Sequence, residues 1–219
     1  MLAGPLVFID IDTQRDFLDP AGALFVLGSE AILGNLARLT AFALEHDIPV
    51  IATACSHTPD DAEMSVFGPH CLAGTLGQER IAETTWSGAR AQVVGVSGRF
   101  DKGSALPAHL TIEKQEFDVF SNPEADTVVS RYGEGNPTFV VYGVATDYCV
   151  KAAVLGLLNR GCKVAVVVDA IRAIDADGEP EVLTEFTRRG ALLTISDVVC
   201  GDVRVHGVDL LVCKGFRVV

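Results

Sequence analysis

The stretch TFVVYGVATDYCVKAAVLG, Thr138 to Gly156, decides the fold. It opens on an unbroken run of β-branched and aromatic residues, Thr138–Tyr142, the composition of a strand covered on both faces. It then passes through Gly143 into Asp147–Asn159, which predicts a helix closed by Gly161. A buried strand feeding a helix is the repeating unit of a parallel α/β sheet. Cys149 lies where that helix would begin, and the stretch alone leaves it two readings. Free N–H groups and the positive end of the helix dipole would acidify the thiol, with Asp147 placed as an N-cap. Free cysteine is also among the most buried residue types, and on this stretch alone packing is the stronger account.

The alternation continues outward in both directions. Pro5–Ile11, Ile48–Ala54 and Leu110–Lys114 predict strands on the N-terminal side, and Lys163–Asp169 and Ala191–Ser196 on the other. Between them, Ser29–Glu45 predicts a helix with Ile32, Leu33, Leu36, Leu39, Phe42 and Leu44 at helical spacing. Ala125–Arg131 and Pro180–Arg189 predict two more. The expected architecture is a three-layer α/β sandwich around a central, mostly parallel six-stranded sheet, in a single domain over residues 1–219. Residues 55–107 are glycine-rich and lack period, and they read as a long loop region beside a site. The segment after Cys200 reads as one or two further strands.

Composition bounds the function. The chain has 219 residues, 49% of them hydrophobic and 21% charged, a globular balance with enough length for a full core. A net charge of −12 argues against nucleic acid or an anionic membrane as partner. The longest apolar runs are strand-sized and no secretory signal is visible, so a cytoplasmic, reducing setting is expected. Six cysteines form no CxxC pair, which disfavours a zinc ribbon or a thioredoxin-type centre. No GxGxxG follows the first strand, so a dinucleotide fold is disfavoured as well.

In parallel sheets ligands sit beyond the carboxyl ends of the strands. Asp12 follows the first strand, His57 the second, Lys114 ends the third, and Cys149 lies just past the fourth. A thiol nucleophile needs a base for its proton and a cation to steady the charge. Asp12 and Lys114 are of those types, although each alone reads first as a turn-capping acid and a solvated surface lysine. Asp10 competes with Asp12 as the base.

Four segments now carry a resemblance. IDTQRDF (Ile11–Phe17), GPHCLAGTLGQE (Gly68–Glu79), IEKQEFDVF (Ile112–Phe120) and GVATDYCV (Gly143–Val150) are similar, in order, to the motifs of the isochorismatase-like cysteine hydrolases, nicotinamidase branch. The resemblance covers about two thirds of the chain. It implies a catalytic triad of Asp12, Lys114 and Cys149, attack of the Cys149 sulfur on an amide carbonyl, ammonia release and hydrolysis of a thioester. It implies a cis Val144–Ala145 peptide that aims the N–H groups of Ala145 and Cys149 at an oxyanion. Asp16 is expected to organise the loops, and homo-oligomers are expected by resemblance alone.

The resemblance also implies a divalent metal, zinc, iron or manganese, gripping a ring nitrogen of the substrate. The matching positions are Cys55, His57, Glu63 and His70, with Cys55 standing where the family has an aspartate. A thiolate there would bias the site toward zinc. Alternatively Cys55 only fills space. Phe17, Phe67 and Tyr148 are expected to wall the pocket and stack on a flat ring, with Phe120 a weaker candidate. The leading expectation is an amidohydrolase converting nicotinamide to nicotinate. The alternatives are a metal-independent hydrolase of another small amide or carbamoyl compound, and a non-catalytic ligand-binding domain.

Overall fold

A computed structural model describes residues 2, 4–86 and 91–201. The segment after Cys200 predicted as extra strands therefore lies outside the described residues, but for Gly201. In chain order the elements are β1 (Leu6–Ile11), α1 (Arg15–Leu18), α2 (Leu33–Glu45), β2 (Val50–Cys55), α3 (Met64–Phe67), β3 (Ala91–Val94) and β4 (His109–Lys114). They continue with α4 (Ala125–Tyr132), β5 (Thr138–Val144), α5 (Lys151–Asn159), β6 (Lys163–Arg172), α6 (Glu179–Arg188), β7 (Leu192–Thr194) and α7 (Ser196–Val199). Among the described residues no helix is long and apolar enough to cross a membrane.

The sheet has seven strands in the order β3-β4-β2-β1-β5-β6-β7, all parallel. The expectation of six is corrected by β3, an edge strand of four residues that pairs with β4. AQVV is short and stands among glycines, which leaves too little period to mark it as a strand. The strand predicted to stop at Asp169 runs on to Arg172. Asp169 resembles a strand-ending acid, but its carboxylate accepts from the backbone N and the hydroxyl of Ser196. A register shift opposite Val141–Gly143 lets the pairing resume at Ile171.

Each sheet face buries its own core. Val7, Ile9, Ile112, Phe139, Val141 and Val166 pack under α4, α5 and α6, which contribute Val128, Val154, Leu157 and Phe186. On the other face, Phe8, Val50, Val140 and Val167 meet Leu36 and Leu39 of α2 and Val199 of α7. Burial on both faces explains why the central strands are continuous apolar runs instead of alternating ones. The predicted Ser29–Glu45 helix is α2 preceded by a tight turn at Ser29–Ala31.

The order β4-β2-β1-β5 sets four strand ends side by side, and the register aligns them. Cys55 pairs with Lys114 across β2 and β4, and Ile11 pairs with Gly143 across β1 and β5. Gly143 has φ of 116°, and a Cβ there would lie 2.0 Å from the Ile11 carbonyl oxygen. Only glycine lets β5 approach β1 so closely just before the chain turns toward Cys149. Gly143→Ala is expected to cost on the order of 3 kcal/mol of stability in urea unfolding. A loss below about 1 kcal/mol would mean that the two strands yield at this point.

Candidate active site

Asp12 follows β1 directly and Lys114 is the last residue of β4, so the two approach across the intervening end of β2. Lys114 Nζ lies 2.8 Å from Asp12 Oδ2, and their side chains are 1% and 0% exposed. The same ammonium contacts Cys149 Sγ at 3.5 Å and Cys55 Sγ at 3.2 Å. The structure thus brings Asp12, Lys114 and Cys149 together from three regions of the chain. Burial opposes the charge on Lys114, but Asp12 and the two sulfurs outweigh it and hold the amine well above its ordinary pKa. The Lys114 amine is therefore an ammonium throughout the physiological range.

The thiol of Cys149 is pushed well above its ordinary value, first by its hydrogen bond with Cys55, then by burial, with Lys114 pulling the other way. A sulfur in that setting keeps its proton at rest and needs a base beside it. Asp12 is placed for that task, with its carboxylate and the Cys149 sulfur within 4.8 Å. Thr53 orients the carboxylate: its hydroxyl donates to Asp12 Oδ1 at 2.5 Å and accepts from the Asp12 N–H. Thr53 was missed in the sequence, where a lone hydroxyl in VIATAC was the available signal. Gln14 clamps the neighbouring strand end, donating to the Cys55 carbonyl and accepting from the Cys55 N–H. The rival base, Asp10, is instead engaged by Arg80.

The expected helix start at Asp147 is corrected. Residues Thr146–Val150 form a wide π-type turn in which the N–H groups of Tyr148 and Val150 both donate to the Ala145 carbonyl, and α5 begins at Lys151. Asp147 does not cap this turn. Its carboxylate accepts from the N–H groups of Ile174 and Asp175, tying down the loop after β6. The Val144–Ala145 peptide is cis. Asp16 holds two loops at once, accepting from Cys71 N at 2.6 Å and Ala23 N at 3.0 Å.

Above the cluster lies a cavity of about 20 Å³, bordered by Cys149, Ala145, Phe17, Phe67 and Tyr148. That is room for about one water. Phe117 completes an aromatic wall, its ring 5.2 Å from Tyr148 and 6.0 Å from Phe67. Phe117 was not anticipated, while Phe120 lies elsewhere, beneath the guanidinium of Arg160. The two differ by three positions in one loop, and nothing local distinguishes them.

A second cluster adjoins the cavity. His57, Glu63 and His70 bring one ligand atom each within 4.8 Å of the others. His70 Nδ1 faces the Gly68 carbonyl at 2.9 Å, which can only accept, so this nitrogen carries the proton. His57 Nδ1 is held by the Asp61 carboxylate at 3.0 Å in the same manner. Both lone pairs are then on Nε2, and that of His57 is buried without a partner. Carbonyl- or carboxylate-oriented imidazoles beside an acid are a fitting donor set for a divalent ion. Cys55 is not in this group; its sulfur lies with Asp12, Cys149 and Lys114. Burial raises the Glu63 carboxyl to about 7 and lowers the pKa of His57, which favours the neutral imidazole.

The Isochorismatase domain family matches residues 6–197 of the chain. The nicotinamidase/pyrazinamidase of Mycobacterium tuberculosis is 27% identical over 197 residues, covering 86% of this chain and 97% of that protein. N-carbamoylsarcosine amidase from Thermoplasma acidophilum superposes with a TM-score of 0.70 at 25% identity, covering 89% of this chain and 98% of that one. The pyrazinamidase of Pyrococcus horikoshii in complex with zinc gives a TM-score of 0.69 at 24% identity, with 88% and 99% covered, a likeness of fold.

Glu63 must shed a proton before it can ligate, and that proton is held up to about pH 7. The affinity of the purified protein for zinc is therefore expected to fall below neutrality, approaching about tenfold per pH unit. Isothermal titration at two pH values reads this slope. A flat profile would assign metal binding to other groups.

Proposed function

Since the chain belongs to the isochorismatase family and is a hydrolase of an amide C–N bond, we propose that it is a nicotinamidase-type amidohydrolase, one domain throughout, acting through a thioester on Cys149. The observation that carries this reading is the ammonium of Lys114 in contact with both Asp12 and the Cys149 sulfur, beneath an aromatic-walled cavity. Asp12 takes the thiol proton as the sulfur attacks the carbonyl carbon. The oxyanion forms against the N–H groups of Ala145 and Cys149, and one such donor is worth about 2.7–4 kcal/mol of barrier. Asp12 then returns the proton to the amide nitrogen, which leaves as ammonia. Water attacks the thioester, Asp12 accepts its proton, and the acid is released with the thiol restored. Lys114 stays charged throughout and offsets whichever neighbour is negative.

Phe17, Phe67 and Tyr148, joined by Phe117, suit a flat aromatic amide. The ring must displace these walls, because the cavity of about 20 Å³ is smaller than any such substrate. His57, Glu63 and His70 would hold the divalent ion, and their two-imidazole, one-carboxylate set fits zinc. When bound, the ion supplies a Lewis acid for a ring nitrogen. One feature favours a second reading, a metal-independent hydrolase of a carbamoyl compound: Cys55 replaces the family's carboxylate and lies with the ammonium instead of the histidines.

Purified protein is expected to release ammonia from nicotinamide, more slowly after treatment with chelator. Cys149→Ala, Asp12→Asn and Lys114→Met should each lower kcat/KM at least about a thousandfold. Activity that survives Cys149→Ala would falsify the mechanism. Turnover of a carbamoyl compound but not nicotinamide, unchanged by chelator, would select the second reading.

A further inference from the structure

Cys55 is a thiol with no part in the mechanism above, yet it borders the same cavity as Cys149. Both sulfurs touch the Lys114 ammonium, at 3.2 and 3.5 Å, and they lie within 4.8 Å of each other. Neither Cys55 nor Cys149 is in a disulfide. Asp12, Cys55 and Cys149 have the makings of a metal site, but the Lys114 ammonium already occupies the middle of that cluster. A second cation there would meet strong repulsion. What remains is the chemistry of two adjacent thiols.

We propose that Cys55 is a resolving cysteine, which closes a disulfide onto Cys149 after peroxide oxidises it and so makes inactivation of the enzyme reversible. Hydrogen peroxide is close to water in size and fits a space of about 20 Å³ without displacing the aromatic walls. In the first step Asp12 takes the Cys149 thiol proton as the sulfur attacks peroxide, and passes it to the departing hydroxide. The O–O bond breaks, one oxygen stays on sulfur as a sulfenic acid, and the other leaves as water. In the second step the Cys55 thiol attacks that sulfur, the S–O bond breaks, an S–S bond forms, and a second water leaves. Two thiols have lost two electrons and one peroxide has gained them. The sulfurs must close to about 2.05 Å, one from the end of β2 and the other from the turn that follows β5. Without a partner thiol, the sulfenic acid meets further peroxide and passes to sulfinic acid, which thiol reductants do not reverse.

The inference requires that peroxide reach Cys149, but not that any particular amide be the substrate, so its test reads mass as well as activity. The full-length protein is treated with limiting hydrogen peroxide, alkylated under denaturing conditions, and followed by intact mass and peptide mapping. The wild type is expected to take up two alkyl groups fewer than the untreated protein and to yield a peptide linked through residues 55 and 149. Dithiothreitol should restore the free thiols and most of the starting activity. Cys55→Ser should instead gain oxygens on Cys149 and recover less than about a tenth of its own untreated activity. Wild-type Cys149 passing to sulfinic acid with no 55–149 link, or resisting peroxide altogether, would overturn the proposal. The wild-type peptide map decides even if the variant folds poorly or nicotinamide proves not to be the substrate.

Discussion

The ion pair between Lys114 and Asp12 is shut off from water at the carboxyl end of the central strands. Charges in such a place lose hydration worth several kcal/mol each, and their mutual attraction repays this only when every remaining donor and acceptor is satisfied. The surroundings supply those partners. Thr53 takes one oxygen of Asp12, the ammonium takes the other, and two sulfurs complete the lysine's contacts. Four neighbouring strands must end in register for this to hold, which is why the close approach at Gly143 and the Gln14 clamp matter to the chemistry as well as to the fold.

The same burial divides the site into two electrostatic halves. Around Lys114 the charge is fixed, because an ammonium among two sulfurs and a carboxylate does not give up its proton near neutral pH. Around Glu63 the charge is labile. Its carboxyl titrates near 7 because burial is not compensated by a full hydrogen bond, the nearest imidazole nitrogens lying at 3.6 and 3.9 Å. A dry, permanently charged half suits proton transfer between sulfur and amide. A half with an uncompensated acid and two oriented lone pairs suits a cation that is not part of the chain.

Much of the fold was legible because it is written in local pattern. The runs LVFIDI, VIATAC and TFVVYGV are long enough to show continuous burial, and each became a central strand. AQVV at the sheet edge is four residues long and carried no such signal. Phe67 and Tyr148 could be placed at the cavity through their motifs, whereas Phe117 and Phe120 sit in one loop with equivalent surroundings in sequence. Asp147 was legible as a capping acid but not as to what it caps, since its partners are Ile174 and Asp175, on the far side of α5 and β6.

By itself the sequence determined the alternation of strand and helix, the acid, lysine and thiol at strand ends, and the presence of two histidines and an acid in one loop. These follow from periodicity and residue chemistry, which act over a few positions along the chain. The tertiary structure alone decided which groups touch. Asp12 and Lys114 are about a hundred residues apart, and a one-residue slip in strand register would turn one of them to the other face of the sheet. It also decided the place of Cys55. The residue before Ser56 and His57 looks like a member of their loop, yet it is the last residue of β2, opposite Lys114 in the ladder. Its sulfur meets the ammonium and not the imidazoles, because Cys55 and Lys114 end paired strands in register while His57 belongs to the loop beyond.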